Sequence, residues 1–320
     1  MSEKIGVLLA NLGTPDATGY WPMRRYLNEF LSDRRVIDLP RWRWQLLLQT
    51  IILTKRPFTS GRAYRSIWNH EADESPLMTI TRAQTAAIAA RISDLYPDRV
   101  QVDFCMRYGN PSTGARVQAL LERGCGKILF FALYPQYAGA TTGTANDQFF
   151  RVLMQQNPQP ASRTVAPYYD RPEYIVALAL SVTRAYDRLE HRPDILVASY
   201  HGMPIRYRDN GDPYYDQCLE TTRLLRERLG WPDNNITTSF QSRFGTEEWL
   251  KPYTVDEVAR LAQDAKHSIA VIAPAFSADC IETLEEINVE IRRSFEGAGG
   301  TTFEYIACLN DDAAHIDALV

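Results

Sequence analysis

Two clusters of side chains in this sequence could do chemistry. The first centres on His201, within "SYHGMPIRYRDNGDPYYDQC" (199–218), directly after the apolar run Asp194–Ala198. A neutral imidazole there can bind a metal or accept a proton near neutral pH. A lone histidine is more often structural. This one stands where a strand should end, before a glycine and a proline-bearing turn, and that favours a functional reading. The second cluster is "SADCIETLEEINVEIRR" (277–293). On a helix, Glu282, Glu286 and Glu290 fall at i, i+4 and i+8 and form one acidic stripe, with Glu285 beside it. The plain alternative is a solvated face, with Asp279 and Glu282 as a variant capping box. Two features weaken that alternative. Like charges at i, i+4 repel unless a cation passes by, and the stripe follows the apolar run Ser268–Pro274 directly. An acidic ladder with a histidine suits a hard or borderline divalent cation, held loosely because the ligand set is too small for a structural site.

A third group is diffuse: Arg107, Tyr108, Tyr134, Gln136, Tyr137, Tyr207, Gln241, Ser242 and Arg243. Each alone reads as loop decoration. Together they suggest a cleft for a flat, largely apolar molecule that carries carboxylates. Other chemistries lack their signals. "GCGK" (124–127) is not a phosphate loop, since it precedes a strand and lacks the full motif. There is no GxGxxG and no GxSxG elbow.

The elements that must position these residues alternate between short β-rich runs and longer helical patterns, as in parallel sheets with covering helices. Strands are expected at Ile5–Ala10, Gln101–Met106, Lys127–Leu133, Asp194–Ser199, Ile236–Phe240, Ser268–Pro274 and Phe303–Ala307. Helices are expected around 22–31, 42–53, 76–96, 112–123, 144–156, 172–189, 213–229, 254–265 and 280–295. Polar and aromatic residues follow the strands in both halves of the chain, where open parallel sheets bind ligands. The expected fold is α/β: two similar Rossmann-like halves facing a shared cleft, with the seam near 160–166. Residues 39–58, "LPRWRWQLLLQTIILTKRPF", stand apart. They read either as a core helix or as an apolar lip touching a greasy ligand or a membrane surface; the run is too short to span a bilayer.

The chain has 320 residues, a net charge of −4 and a pI near 5.8, which argues against a nucleic-acid partner. Its five cysteines are scattered without a CxxC, so neither a disulfide framework nor a zinc site is expected, and a cytoplasmic setting fits. No cleavable leader pattern opens the sequence.

The blocks "LLANLGTPD", "FLSD" (30–33), "YPQYAGATTGT" (134–144), "SYHGMPIRY…GDPYYDQC", "FQSRFGTEEWLKPYT" (240–254) and "ADCIETLEEI" (278–287) resemble the ferrochelatase family, most closely its proteobacterial branch. The resemblance runs the length of the chain. It implies a lyase that inserts ferrous iron into protoporphyrin IX, with Fe2+ as substrate, no organic cofactor and no [2Fe–2S] cluster. It implies that His201 and Glu282 are the catalytic, metal-site pair. Asp279, Glu286 and Glu290 would form an acidic path for metal or protons. Arg107 and Tyr108 would hold the macrocycle, and Leu12, Tyr134, Gln136, Tyr137 and Ser242 complete the expected porphyrin pocket. Leu12 stands where coproporphyrin-using relatives carry Tyr, which favours protoporphyrin; Cys280 stands where animal members have His. The implied fold is chelatase-like: two domains, each a four-stranded parallel sheet flanked by helices. Residues 1–163 plus a returning 303–320 form the first, and 164–302 the second. A monomer with peripheral membrane contact through 39–58 is expected. Two other classes stand beside this reading: a non-catalytic porphyrin carrier, and a chelatase for a more carboxylated ring such as sirohydrochlorin.

Overall fold

The computed structural model describes residues 4–320. Two compact units emerge, the first holding most of the chain up to Ala166 and the second Pro135–Tyr137 and Pro167–Leu319. Each contains one four-stranded sheet. In the first, β1 (Lys4–Thr14), β2 (Val100–Gly109), β3 (Cys125–Ala132) and β4 (Ala161–Thr164) lie in the order β2-β1-β3-β4. In the second, β5 (Ile195–His201), β6 (Ile236–Gln241), β7 (Ser268–Ile272) and β8 (Thr302–Ile306) lie in the order β6-β5-β7-β8. Both sheets thus share one doubly wound strand order, and all pairings are parallel. Helices cover both faces of such sheets, so the strands read as continuous apolar runs; Leu196, Val197 and Ala198 are fully buried.

Three differences from the sequence reading stand out. The supposed seam contains β4, whose four mostly exposed residues, three of them polar, carry no strand signal beyond their pairing with β3. Residues 303–319 do not return to the first unit. Their β8 pairs with β7, and the Ala313–Leu319 helix packs on the Pro172–Tyr186 helix, where Arg184 meets Asp312 at 2.8 Å. The helix starting at Arg41 turns π-helical over Leu48–Ile52 and continues as Leu53–Ile67 despite Pro57. The glycine of "NLGTPD" is required by the close approach of two strands. Gly13 has a φ of 118°, and a Cβ there would lie 1.9 Å from the Tyr108 carbonyl oxygen.

Candidate active site

In the second unit, β5 delivers His201 to the C-terminal edge of the sheet. Its Nδ1 lies 2.7 Å from the Gly202 carbonyl oxygen. A carbonyl can only accept, so Nδ1 carries the hydrogen, and a neutral ring leaves Nε2 as a free lone pair. Gly202 lets the chain pass close to β6: its N–H donates to the Gln241 carbonyl at 2.8 Å, and a Cβ would sit 2.7 Å from that same oxygen.

His201 pairs in register with Gln241, and Ser242 follows. These two residues hold Glu286. The Ser242 N–H donates to Oε1 at 2.6 Å, the Ser242 hydroxyl to Oε2 at 2.6 Å, and Gln241 Nε2 to Oε2 at 3.2 Å. The same Gln241 amide donates to the Glu282 carbonyl at 2.8 Å. Burial raises the proton affinity of Glu286, and the Glu282 carboxylate adds to that. The hydrogen bonds from Ser242 and Gln241 and the His201 charge act against it, leaving the carboxyl above its ordinary range.

Glu282–Ile291 is a π-helix, with i→i+5 bonds, rather than the α-helix its spacing suggested. The wider turn explains the pattern. Thr283, Ile287 and Ile291 are buried at every fourth position, with Phe295 continuing the interval in the α-helix Arg292–Gly297, and Glu282, Glu286 and Glu290 run alongside. Glu282, Glu285 and Glu286 are half-buried, whereas Glu290 is exposed. Burial and the neighbouring Glu290 and Glu286 also raise Glu285. The buried Cys280 thiol is pushed up by desolvation and by the nearby Glu282 carboxylate. Among the described residues, no three His, Cys, Asp or Glu side chains are arranged to hold a metal ion.

Asp279 departs from the expected acidic path. Its Oδ1 accepts from Thr283 Oγ1 at 2.9 Å and from the Tyr305 hydroxyl, and its Oδ2 accepts from Asn310 Nδ2 at 2.7 Å. Its N–H donates to Asn310 Oδ1 at 2.8 Å. With both oxygens engaged, Asp279 fastens the start of the π-helix to β8 and the segment beyond it.

In the first unit, Arg107 and Tyr108 are built into a closed network rather than offered as free pocket groups. Arg107 forms an ion pair with Asp33 and hydrogen-bonds Thr144, and its guanidinium lies 4.3 Å from the centre of the Tyr108 ring. The Tyr108 hydroxyl donates to Asp33 at 2.9 Å. Asp33 and Thr144 were not singled out from the sequence, because only the fold brings them to residue 107. Leu12 and Tyr134 are half-buried in this unit, and the Tyr134 hydroxyl is buried with no hydrogen-bond partner. Gln136 and Tyr137 belong to the second unit: Gln136 Nε2 donates to Thr221 at 2.9 Å, and the Tyr137 N–H to Gln217 at 2.7 Å.

This architecture is chelatase-like. It matches SirB from Bacillus subtilis with Fe3+ at a TM-score of 0.58 and 12% identity, over 98% of this chain and 92% of that one. It matches CbiX, described as the terminal enzyme for biosynthesis of siroheme in denitrifying bacteria, at 0.50 and 14%, over 98% and 99%. The ferrochelatase family model matches residues 4–320. The sequence is 67% identical to the ferrochelatase of Rhodobacter capsulatus over 99% of this chain and 91% of that protein. It is 56% identical to that of Chelativorans sp. (strain BNC1) over 96% and 87%. The chain belongs to the ferrochelatase family.

The Arg107–Asp33 pair gives a stability prediction. Burial raises the Asp33 carboxyl, but hydrogen bonds from Thr144 and the Arg35 N–H, then the Arg107 charge, more than offset it and hold it below 3.8. A depressed carboxyl stabilises the fold above its unfolded value, and that contribution is lost as pH falls through the lower folded value. Side-chain exposure is 8% and 10%, so Arg107→Ala strands a buried carboxylate. The expected loss is about 3 kcal/mol in urea unfolding at pH 7, narrowing below about pH 4. Unchanged stability with a raised KM for porphyrin would return Arg107 to the pocket.

Proposed function

We propose that this ferrochelatase inserts ferrous iron into protoporphyrin IX, forming haem and releasing two protons, with His201 as the proton acceptor. The observation that carries the assignment is the free Nε2 of His201, with Nδ1–H fixed on the Gly202 carbonyl and the Glu286 carboxylate within electrostatic reach. When Nε2 takes a pyrrole proton, the resulting imidazolium keeps its Nδ1 hydrogen bond and faces a carboxylate that favours its charge. Half-buried Glu282 supplies oxygen ligands that replace iron's water, and Glu282 and Glu286 carry the released protons towards the exposed Glu290. No step needs a cofactor. Gln136 and Tyr137, in the same unit as His201, are proposed to line the ring's site. Bending the macrocycle so that its nitrogens face the metal draws on binding energy away from the reacting centre.

A second observation supports peripheral membrane contact. Trp21, Trp42, Leu46, Ile51 and Phe58 are exposed, Trp42 to 70%, beside Arg41, Arg43 and Lys55. Large apolar side chains flanked by bases suit an anionic bilayer surface. Among the described residues, no helix is long and apolar enough to cross a membrane.

Three outcomes are expected. His201→Ala loses at least about a hundredfold in anaerobic haem formation from protoporphyrin IX and Fe2+, while its circular dichroism stays parental. Stoichiometric quenching of porphyrin fluorescence without haem in the parent protein would instead favour a carrier. Glu282→Gln drops far more in turnover than in porphyrin affinity; equal losses would mark a capping role. Trp42→Ala with Ile51→Ala reduces co-sedimentation with vesicles containing phosphatidylglycerol, and unchanged sedimentation would retire the membrane reading.

A further inference from the structure

Ser242 holds a left-handed backbone, with a φ of 66°. An L side chain is strained in that region, and glycine would relieve the strain. Strain of this kind collects where a function over-determines the backbone. Here the left-handed turn places the N–H and the hydroxyl of one residue on both oxygens of one carboxylate, each at 2.6 Å. Had β6 continued in extended form, the Ser242 N–H would lie in the plane of the sheet, aimed sideways at a neighbouring strand.

The turn rests on a buried support. Gln241 Oε1 accepts from Ser199 Oγ at 2.7 Å, Ser199 Oγ lies 2.9 Å from Thr254 Oγ1, and Thr254 donates to Ser239 Oγ at 2.9 Å. Ser199, Ser239 and Thr254 are fully buried. Side chains locked in this way hold a functional group more closely than a free loop could.

We propose that Ser242 is a positioning residue for iron insertion, a bidentate clamp that fixes the Glu286 carboxylate beside His201, and not a contact to the porphyrin. The clamp acts through Glu286 and therefore rests on the reading that Glu286 serves the reaction. Gln241 completes it by tying the same carboxylate to the Glu282 carbonyl, so that β6 and the first turn of the π-helix move as one piece.

Ser242→Gly removes the hydroxymethyl side chain and with it the hydroxyl donor, keeps the N–H and tolerates the left-handed backbone. Anaerobic kinetics with protoporphyrin IX and Fe2+ should show turnover falling about tenfold, the loss of one hydrogen bond to a charged group. The KM for porphyrin should stay within about twofold, and Ser242→Gly in a Glu286→Gln background should cause no further loss beyond about twofold. Melting temperature should remain close to parental. Ser242→Asn, which also tolerates this backbone, should give the same pattern. Parental turnover in Ser242→Gly beside an impaired Glu286→Gln would overturn the clamp and leave the role of Glu286 standing. Losses that add in the double variant, or a rise in porphyrin KM alone, would also overturn it. Parental activity in Glu286→Gln would overturn both.

Discussion

The pairing of β5 between β6 and β7 is the constraint on which the candidate site depends. All three strands run the same way, so their C-terminal ends leave the sheet at one edge. Register then decides which side chains meet there, and His201 falls opposite Gln241. A slip of one residue would turn His201 to the other face and bring the fully buried Tyr200 into its place. The ladder uses backbone groups alone, so strand interiors stay apolar and reactive groups gather at the ends. The candidate site gathers at the C-terminal edge, where doubly wound sheets ordinarily bind ligands, with His201 on the first strand of the unit and Gln241 on the second.

Two kinds of carboxylate occupy the protein, and their partners distinguish them. Asp33 and Asp279 have their oxygens taken up mostly by neighbours from distant parts of the chain: Arg107, Tyr108 and Thr144 for one, and Tyr305 and Asn310, with the nearby Thr283, for the other. Such groups fasten elements together and are poor ligands, since recruiting them would strand buried donors. Glu282 and Glu285 are half-buried on the open side of the π-helix. Glu286 lies between the two kinds, held by donors on one side and facing a histidine on the other. A carboxylate in that position is oriented without being neutralised.

The sequence pattern exposed much of this architecture, for identifiable reasons. Runs such as Ile195–Ala198 are legible because a strand covered on both faces must be apolar throughout. Edge strand β4, polar and exposed, had only its partner to reveal it. The position of β8 beside β7 follows from pairing across the unit, which no local pattern encodes. At the site, His201 and the glutamate stripe were visible as residue types at a suggestive spacing. The ion pair between Asp33 and Arg107 was not, because 74 residues separate its members. The helix type was written in the sequence but read with the wrong period. An α-helix buries positions three and four apart in alternation, whereas Thr283, Ile287 and Ile291 keep a strict interval of four.

That interval makes the site sensitive to chain length in a way its surface does not suggest. A loop absorbs an inserted or deleted residue by rearranging. A π-helix whose core contacts recur every fourth residue cannot, because losing one residue between Glu282 and Glu286 swings everything downstream by about a quarter of a turn about the axis. Ile287 and Ile291 would leave the core together with the carboxylate. Sequence length here is therefore under the same constraint as side-chain identity, and the segment should tolerate substitutions more readily than indels.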